Sequence, residues 1–236
     1  MAKRMTAKDW VAFWDQPNSI YVNARHFDVH YRDVAEGILK LLPREGLRLL
    51  DYGCGEAIYA DRVAMKVREL YLCESAGTVR DNLKRRFGKL GNVTVISPQE
   101  MKALPDGALD MIVANSVAQY LSSDDLNRLL AQAKRLIAPG GALILADIIP
   151  PNLSAAADAI VLLRYAAQNG FFLAAVGGLL RTLMSDYWAT RARLGISTYT
   201  EAEALKRLAD AGFAAERLPS NIEHNPARMS FRAVRK

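Results

Sequence analysis

The stretch Leu47-Arg48-Leu49-Leu50-Asp51-Tyr52-Gly53-Cys54-Gly55-Glu56-Ala57 decides the fold. A short apolar run stops at an acid, and two glycines spaced by one residue follow. Behind them, Ile58 to Val67 can coil as a helix, so the stretch reads as a strand end joined by a tight turn to a helix start. At such a junction glycine lets a ligand approach the backbone, and the free N–H groups of the first helical turn face outward as donors. A nucleotide-like ligand suits that arrangement. A plain strand-to-helix turn would use the same glycines, so the rest of the chain must decide.

A dinucleotide site calls for Gly-x-Gly-x-x-Gly, but Ile58 stands where the third glycine belongs. Asp51 would repel a phosphate and suits a cationic amino group. An acid followed by this glycine spacing is the first motif of the class I S-adenosylmethionine-dependent methyltransferases, which the sequence resembles. Asp51, Gly53 and Gly55 are in place, and Ala57 replaces the usual last glycine. Further landmarks follow in order. Glu74 ends a second strand, Glu69 to Cys73. Glu100-Met101 follows a third β-rich run, Val93 to Ser97. Asn115 to Tyr120 sit at the exit of a fourth strand, Asp110 to Ala114. Leu136-Ile137-Ala138-Pro139-Gly140-Gly141 precedes a fifth, Ala142 to Ala146.

The resemblance implies an α/β, Rossmann-like, doubly wound fold with a mostly parallel seven-stranded sheet. It implies S-adenosyl-L-methionine as cofactor and S-adenosyl-L-homocysteine as product. Asp51, Gly53, Cys54 and Gly55 would hold the amino-acid part, and Glu74 with Ser75 the ribose. Glu100 and Met101 would contact the adenine, with Gln99 as the neighbouring register. Asn115, Ser116 and Tyr120 would line the cleft, joined by Tyr21 from a leading segment that covers it.

At 236 residues, 51% hydrophobic and 24% charged, the chain is expected to form a single methyltransferase domain over 1–236. Residues 1–45 would be a helical N-terminal cover and 151–195 a helical lid. The net charge of +6 is dispersed, and the one sharp basic cluster, Lys84-Arg85-Arg86, reads as a solvated helix face. No nucleic-acid partner is expected. Two cysteines, Cys54 and Cys73, are too few for a disulfide framework and lack the spacing of a zinc site, so no metal and a cytoplasmic setting are expected. The first residues hold no apolar run of signal-peptide type.

Thr6 and Asp9 can cap a short helix carrying Trp10, Phe13 and Trp14, and Tyr31, Val34, Ile38 and Leu41 recur at helical spacing within Val22 to Leu42. Ala155 to Trp188 is apolar and uncharged between Arg164 and Arg181, an interval shorter than the ~20 residues of a membrane span. Following a parallel strand's carboxyl end, it would make an apolar lid and is a candidate for peripheral membrane or lipid contact. Thr200 to Glu203 forms a capping box, and strands follow at about Ala214 to Leu218 and Met229 to Val234. If the first of these is parallel to the others, the loop Pro219 to Ala227 brings Asn221, His224 and Asn225 to the ligand side.

Methyl transfer from a sulfonium is an in-line displacement that relies on alignment and needs no nucleophilic side chain. A hydroxyl acceptor would benefit from a general base, for which His30 and His224 are the candidates. His26 stands four residues before His30, but no third ligand accompanies the pair, and a hydrogen-bonding role suits it better. The expected activity is methylation of a small, apolar or amphipathic molecule. Two competitors remain: a nicotinamide-dependent oxidoreductase, opposed by Ile58, and a non-catalytic lipid or membrane-surface module on the same fold, which Ala57 and the apolar lid would suit.

Overall fold

The computed structural model describes residues 11, 12, 15, 21–183 and 196–236. The helix expected around Trp10, Phe13 and Trp14, and the end of the lid, lie outside the described residues. Seven strands form one sheet in the order β3-β2-β1-β4-β5-β7-β6. They are β1 (Arg48–Tyr52), β2 (Glu69–Cys73), β3 (Val93–Ile96), β4 (Leu109–Asn115), β5 (Ile137–Ile148), β6 (Phe213–Arg217) and β7 (Met229–Arg235). The first five are mutually parallel, and β7 runs antiparallel to both β5 and β6. Strand β6 therefore points the same way as β1, and the loop behind it opens at the edge of the sheet that carries the glycine turn.

Strands buried on both faces read as continuous apolar runs whose successive side chains alternate between two layers. Leu49, Met111 and Ile144 face one layer with Ala35 and Ile38 of α1 (Ala24–Leu41), Val63 of α2 (Ala60–Ala64), and Leu83 and Phe87 of α3 (Gly77–Phe87). Their neighbours Leu50, Ile112 and Leu145 face the other, with Met101 of α4 (Pro98–Lys102), Leu126 and Leu130 of α5 (Ser123–Leu136), and Leu208 of α8 (Glu201–Asp210). Side-chain caps fix where helices start: Asn23 accepts from the His26 N–H, Ser122 from that of Asp125, and Thr200 forms the expected capping box with Glu203.

The segment expected as a lid holds two helices among the described residues, α6 (Ala155–Asn169) and α7 (Phe172–Leu183). Tyr165, Ala166, Phe171 and Ala175 pack against Val29 of α1, and the His26 ring stacks on Phe171 at 4.8 Å. Outward, Leu173 is 83% exposed and Ile160, Phe172 and Leu180 are also exposed. No helix among the described residues is long and apolar enough to cross a membrane. Lys84, Arg85 and Arg86 form the exposed last turn of α3, where they complement the helix dipole.

Some boundaries differ from expectation. Helix α2 spans only Ala60–Ala64, with the glycine turn running on to Tyr59. Strand β5 starts at Ile137, so Pro139-Gly140-Gly141 lies inside it; the pairing jumps from Leu109↔Ile137 to Met111↔Ala142, which accommodates the irregular residues as a bulge.

Candidate active site

The strand order reverses between β1 and β4, and in open α/β sheets ligands bind outside the carboxyl ends of the strands at that point. Gly53 (φ +71°) and Gly55 (φ +57°) turn the chain there in the left-handed region. A Cβ on Gly53 would stand 2.6 Å from Val117 Cγ2, and one on Gly55 would stand 2.5 Å from the Tyr31 hydroxyl, so both positions require glycine. Ala57, at the place of the missing glycine, is itself left-handed (φ +37°). Its methyl group is buried and packs in the core beneath the turn.

Glu74, buried at the end of β2, ties the turn down. Its Oε2 accepts from the Gly55 N–H at 3.0 Å, and its Oε1 from the N–H groups of Ser75 at 2.6 Å and Ala76 at 2.9 Å. Oε2 keeps a second lone pair for a ligand hydroxyl. Asp51 is buried, and no hydrogen bond to a described residue reaches its carboxylate. Burial and then the charge of Glu74 push its pKa up to about 7. A buried carboxyl in that condition is completed by a cationic group. Burial also pushes the Cys54 thiol well up, so it stays protonated. Tyr31 lies across the turn, its hydroxyl accepting from the Glu56 N–H at 3.0 Å, and a cavity of about 20 Å³ runs from there into the core between α1 and the sheet. A cavity of about 210 Å³ lies at the opposite end of the sheet, lined by Leu47, Asp110 and Ala142, and plays no part in this site.

The residues expected at the adenine are engaged elsewhere. Glu100 is exposed and closes a capping box on Ser97, its Oε2 accepting from the Ser97 N–H and hydroxyl at 2.7 Å each. Gln99 is exposed beside it, and Met101 is buried in the core. Tyr21 packs among the rings of His26, Phe27, His30 and Tyr31. Tyr120 closes a 3₁₀ turn, Ala118–Tyr120, after β4.

A second group of polar side chains gathers at the carboxyl ends of β4 and β5. Ser116 (φ +55°) and Asp147 (φ +61°) are left-handed there, a strain of the sort that functional sites concentrate. The Ser116 hydroxyl is 2.6 Å from both Asp147 Oδ2 and Glu223 Oε1, and Asn115 Nδ2 donates to Glu223 Oε1 at 2.9 Å. Asn115 Oδ1 is buried without a partner. Arg228 donates to Asp147 at 2.6 Å and to Asp158 at 3.2 Å, while Asn221 and Asn225 hold Asp147 and Asp158 from the loop after β6. His30 Nδ1 stands 3.5 Å from Glu223 Oε2, and the His224 ring stacks on Tyr165 at 4.2 Å. Burial pushes the His224 pKa down and that of His26 to about 4. His26 Nδ1 accepts from the Val22 N–H.

The structure thus joins Asn115, Ser116 and His30 in one cluster with His224 alongside, and keeps His26 apart as a packing residue. Glu223, Asp147 and Arg228 were not anticipated; the acid at Glu223, beside the singled-out His224 in a loop expected on this edge, was the available signal.

Strand order, glycine turn and the acids at the carboxyl ends of β1 and β2 define a class I S-adenosylmethionine-dependent methyltransferase fold. Residues 50–145 match the family described as a methyltransferase domain, which supports S-adenosylmethionine as the cofactor. It is similar to the malonyl-[acyl-carrier protein] O-methyltransferase of Geobacter sulfurreducens, 32% identical over 136 residues that cover 52% of this chain and 49% of that protein. The protein of the same name from Serratia marcescens is 27% identical over 129 residues, covering 54% of this chain and 49% of that one. The chain therefore spans about half the length of these curated relatives. Magnesium protoporphyrin IX methyltransferase from Synechocystis, solved with bound S-adenosylhomocysteine, shares the fold at a TM-score of 0.57 and 17% identity, covering 99% of this chain and 96% of that one.

Proposed function

We propose that the chain transfers a methyl group from S-adenosylmethionine to a small, apolar or amphipathic molecule seated between the polar cluster and the lid, with cover, sheet and lid acting as one domain. The observation that carries this reading is the pairing, on one edge of the sheet, of an unpartnered buried carboxyl at Asp51 with a tied glycine turn and a strained polar cluster. When bound, the sulfonium supplies an electrophilic methyl group. Asp51 would face the ammonium of the amino-acid part, and the backbone at Gly53, Cys54 and Gly55 would lie along it. Glu74 and Ser75 would take the ribose hydroxyls. The Met101 and Gln99 segment would flank the adenine through backbone contacts, since Glu100 is committed to its cap. Asn115, Ser116, Tyr120 and Tyr21 would line the passage to the acceptor.

Isothermal titration calorimetry with S-adenosylhomocysteine tests this directly. Binding is expected, weakened by about 1 to 3 kcal/mol in Glu74→Ala through loss of charge-assisted hydrogen bonds. Unchanged affinity in a folded Glu74→Ala would remove Glu74 from the site. Binding of NADH instead would favour the oxidoreductase, and binding of neither a non-catalytic module.

A further inference from the structure

Ser116 has one hydroxyl proton and two carboxylate oxygens at 2.6 Å, Asp147 Oδ2 and Glu223 Oε1. The hydroxyl proton can go to one oxygen or be shared between both, and it holds the two carboxyl groups of Asp147 and Glu223 against each other. Burial and the neighbouring Glu223 push Asp147 up, while His30 and the Ser116 hydrogen bond outweigh burial to hold Glu223 down. Glu223, whose side chain is 9% exposed, turns its other oxygen toward His30 Nδ1. His30 Nε2 has no hydrogen bond to a described residue. The ionisable or charged groups around this pair are Tyr21, Tyr31, His26, His224, Asp147 and Arg228. Arg228, the arginine bonded into the cluster, is occupied by Asp147 and Asp158.

From this arrangement we infer that Glu223 and His30 form the acid–base centre for the methyl acceptor, and that the acceptor atom is a proton-bearing nitrogen or oxygen, as in an amine or a phenol, rather than a carboxylate. The inference rests on the methyltransferase reading above and deepens it. A carboxylate acceptor would enter a cluster of three acids whose guanidinium is already neutralised, and it has no proton for His30 to take. A neutral acceptor forms its new bond to the methyl carbon and gives its proton to Nε2. The bond that breaks joins that carbon to sulfur, and its electron pair stays on the sulfur. The imidazolium so formed faces the Glu223 carboxylate. The 3.5 Å separation is of the loose kind that catalytic contacts show before substrate binds.

The test uses the intact protein and three readouts. In ¹⁵N-histidine spectra without cofactor, the neutral His30 ring is expected to carry its proton on Nδ1, with Glu223→Gln abolishing that preference. A panel of dodecylamine, 4-octylphenol, dodecanoate and monododecyl malonate, assayed with methyl-labelled cofactor, is expected to show amine or phenol methylated at least 10-fold faster than either carboxylate; the first two arms separate nitrogen from oxygen acceptors. His30→Ala should cut that transfer about 100-fold, the scale of general-base catalysis, while S-adenosylhomocysteine affinity stays within about threefold. Faster transfer to the carboxylates, no transfer to amine or phenol by protein that binds S-adenosylhomocysteine, or a His30→Ala rate above a third of wild type would each overturn the inference. Absence of S-adenosylhomocysteine binding by the wild type would instead remove the reading on which it rests, and the inference with it.

Discussion

Lowering the pH from 7 to 5 should weaken binding of S-adenosylhomocysteine about 50-fold, because of Asp51. Its pKa is raised to about 7 by burial and by Glu74. An ammonium group seated against it needs the ionised form, so below pH 7 a proton must leave on binding. The ionised fraction falls from about one half at pH 7 to about one hundredth at pH 5, which costs about 2.3 kcal/mol. Stability of the ligand-free protein has the opposite sign. The folded-state pKa lies above the unfolded one, so the contribution of Asp51 is fully present below pH ~3.9 and is lost as pH rises through about 7, by on the order of 4 kcal/mol. Asp51→Asn should therefore raise the melting temperature at pH 7, flatten its pH dependence and lower affinity for the ligand at that pH. Calorimetry from pH 5 to 7, in two buffers of different ionisation enthalpy, reads affinity and proton release together. An affinity that changes less than threefold over this range, or an equally steep slope in Asp51→Asn, would refute the reasoning.

Ala57→Gly removes left-handed strain of about 1 to 2 kcal/mol, but loses a buried methyl group (~0.8 kcal/mol) and loosens the unfolded chain (~0.5 to 1 kcal/mol). Urea denaturation should place it within about 1 kcal/mol of wild type, with Ala57→Val more than about 2 kcal/mol below. Gly55→Ala drives a Cβ to 2.5 Å from the Tyr31 hydroxyl and should abolish measurable S-adenosylhomocysteine binding; adding Tyr31→Phe, which removes the colliding oxygen, should restore part of it in calorimetry. No restoration would trace the loss to the backbone at φ +57° instead.

The places of Asp51, the glycine turn and Glu74 were legible because these residues lie where regular elements end. Alternation of Leu49 and Leu50 between two layers, the acid near the end of β1 and the acid after β2 are set by strand periodicity and a single short crossover. Glu74 could therefore be placed from sequence, although its bond to the Gly55 N–H could not. Glu100 shows the limit of pattern: an acid three residues after a serine satisfies a capping box equally well, and the local bonds to Ser97 won. The Pro-Gly-Gly segment misled differently, since a bulge allows a strand to run through it. Glu223 and Arg228 were illegible because their partners, Ser116 and Asp147, are 107 and 81 residues away, on strands that only the parallel course of β6 brings to the same edge. An irregular loop carries no period from which to read such pairing.

The two halves of the site meet on neighbouring residues of one helix. Tyr31 of α1 accepts from the Glu56 N–H in the glycine turn, while His30, the residue before it, faces Glu223 in the polar cluster. The Tyr31 hydroxyl stands only 2.5 Å from where a Cβ on Gly55 would be, so a ligand laid along Gly55 must displace that ring. Glu74 bonds the turn at Gly55, and left-handed Ser116 and Asp147 are over-determined by their hydrogen bonds, so the helix is the part with least to lose by moving. Displacement of Tyr31 changes the reach from His30 to Glu223, and binding at the turn becomes felt at the acceptor base. S-adenosylhomocysteine should accordingly shift the His30 ring resonances in ¹⁵N-histidine spectra. Spectra unchanged at saturating ligand would mean that the cofactor enters without moving α1 and that the two halves act independently.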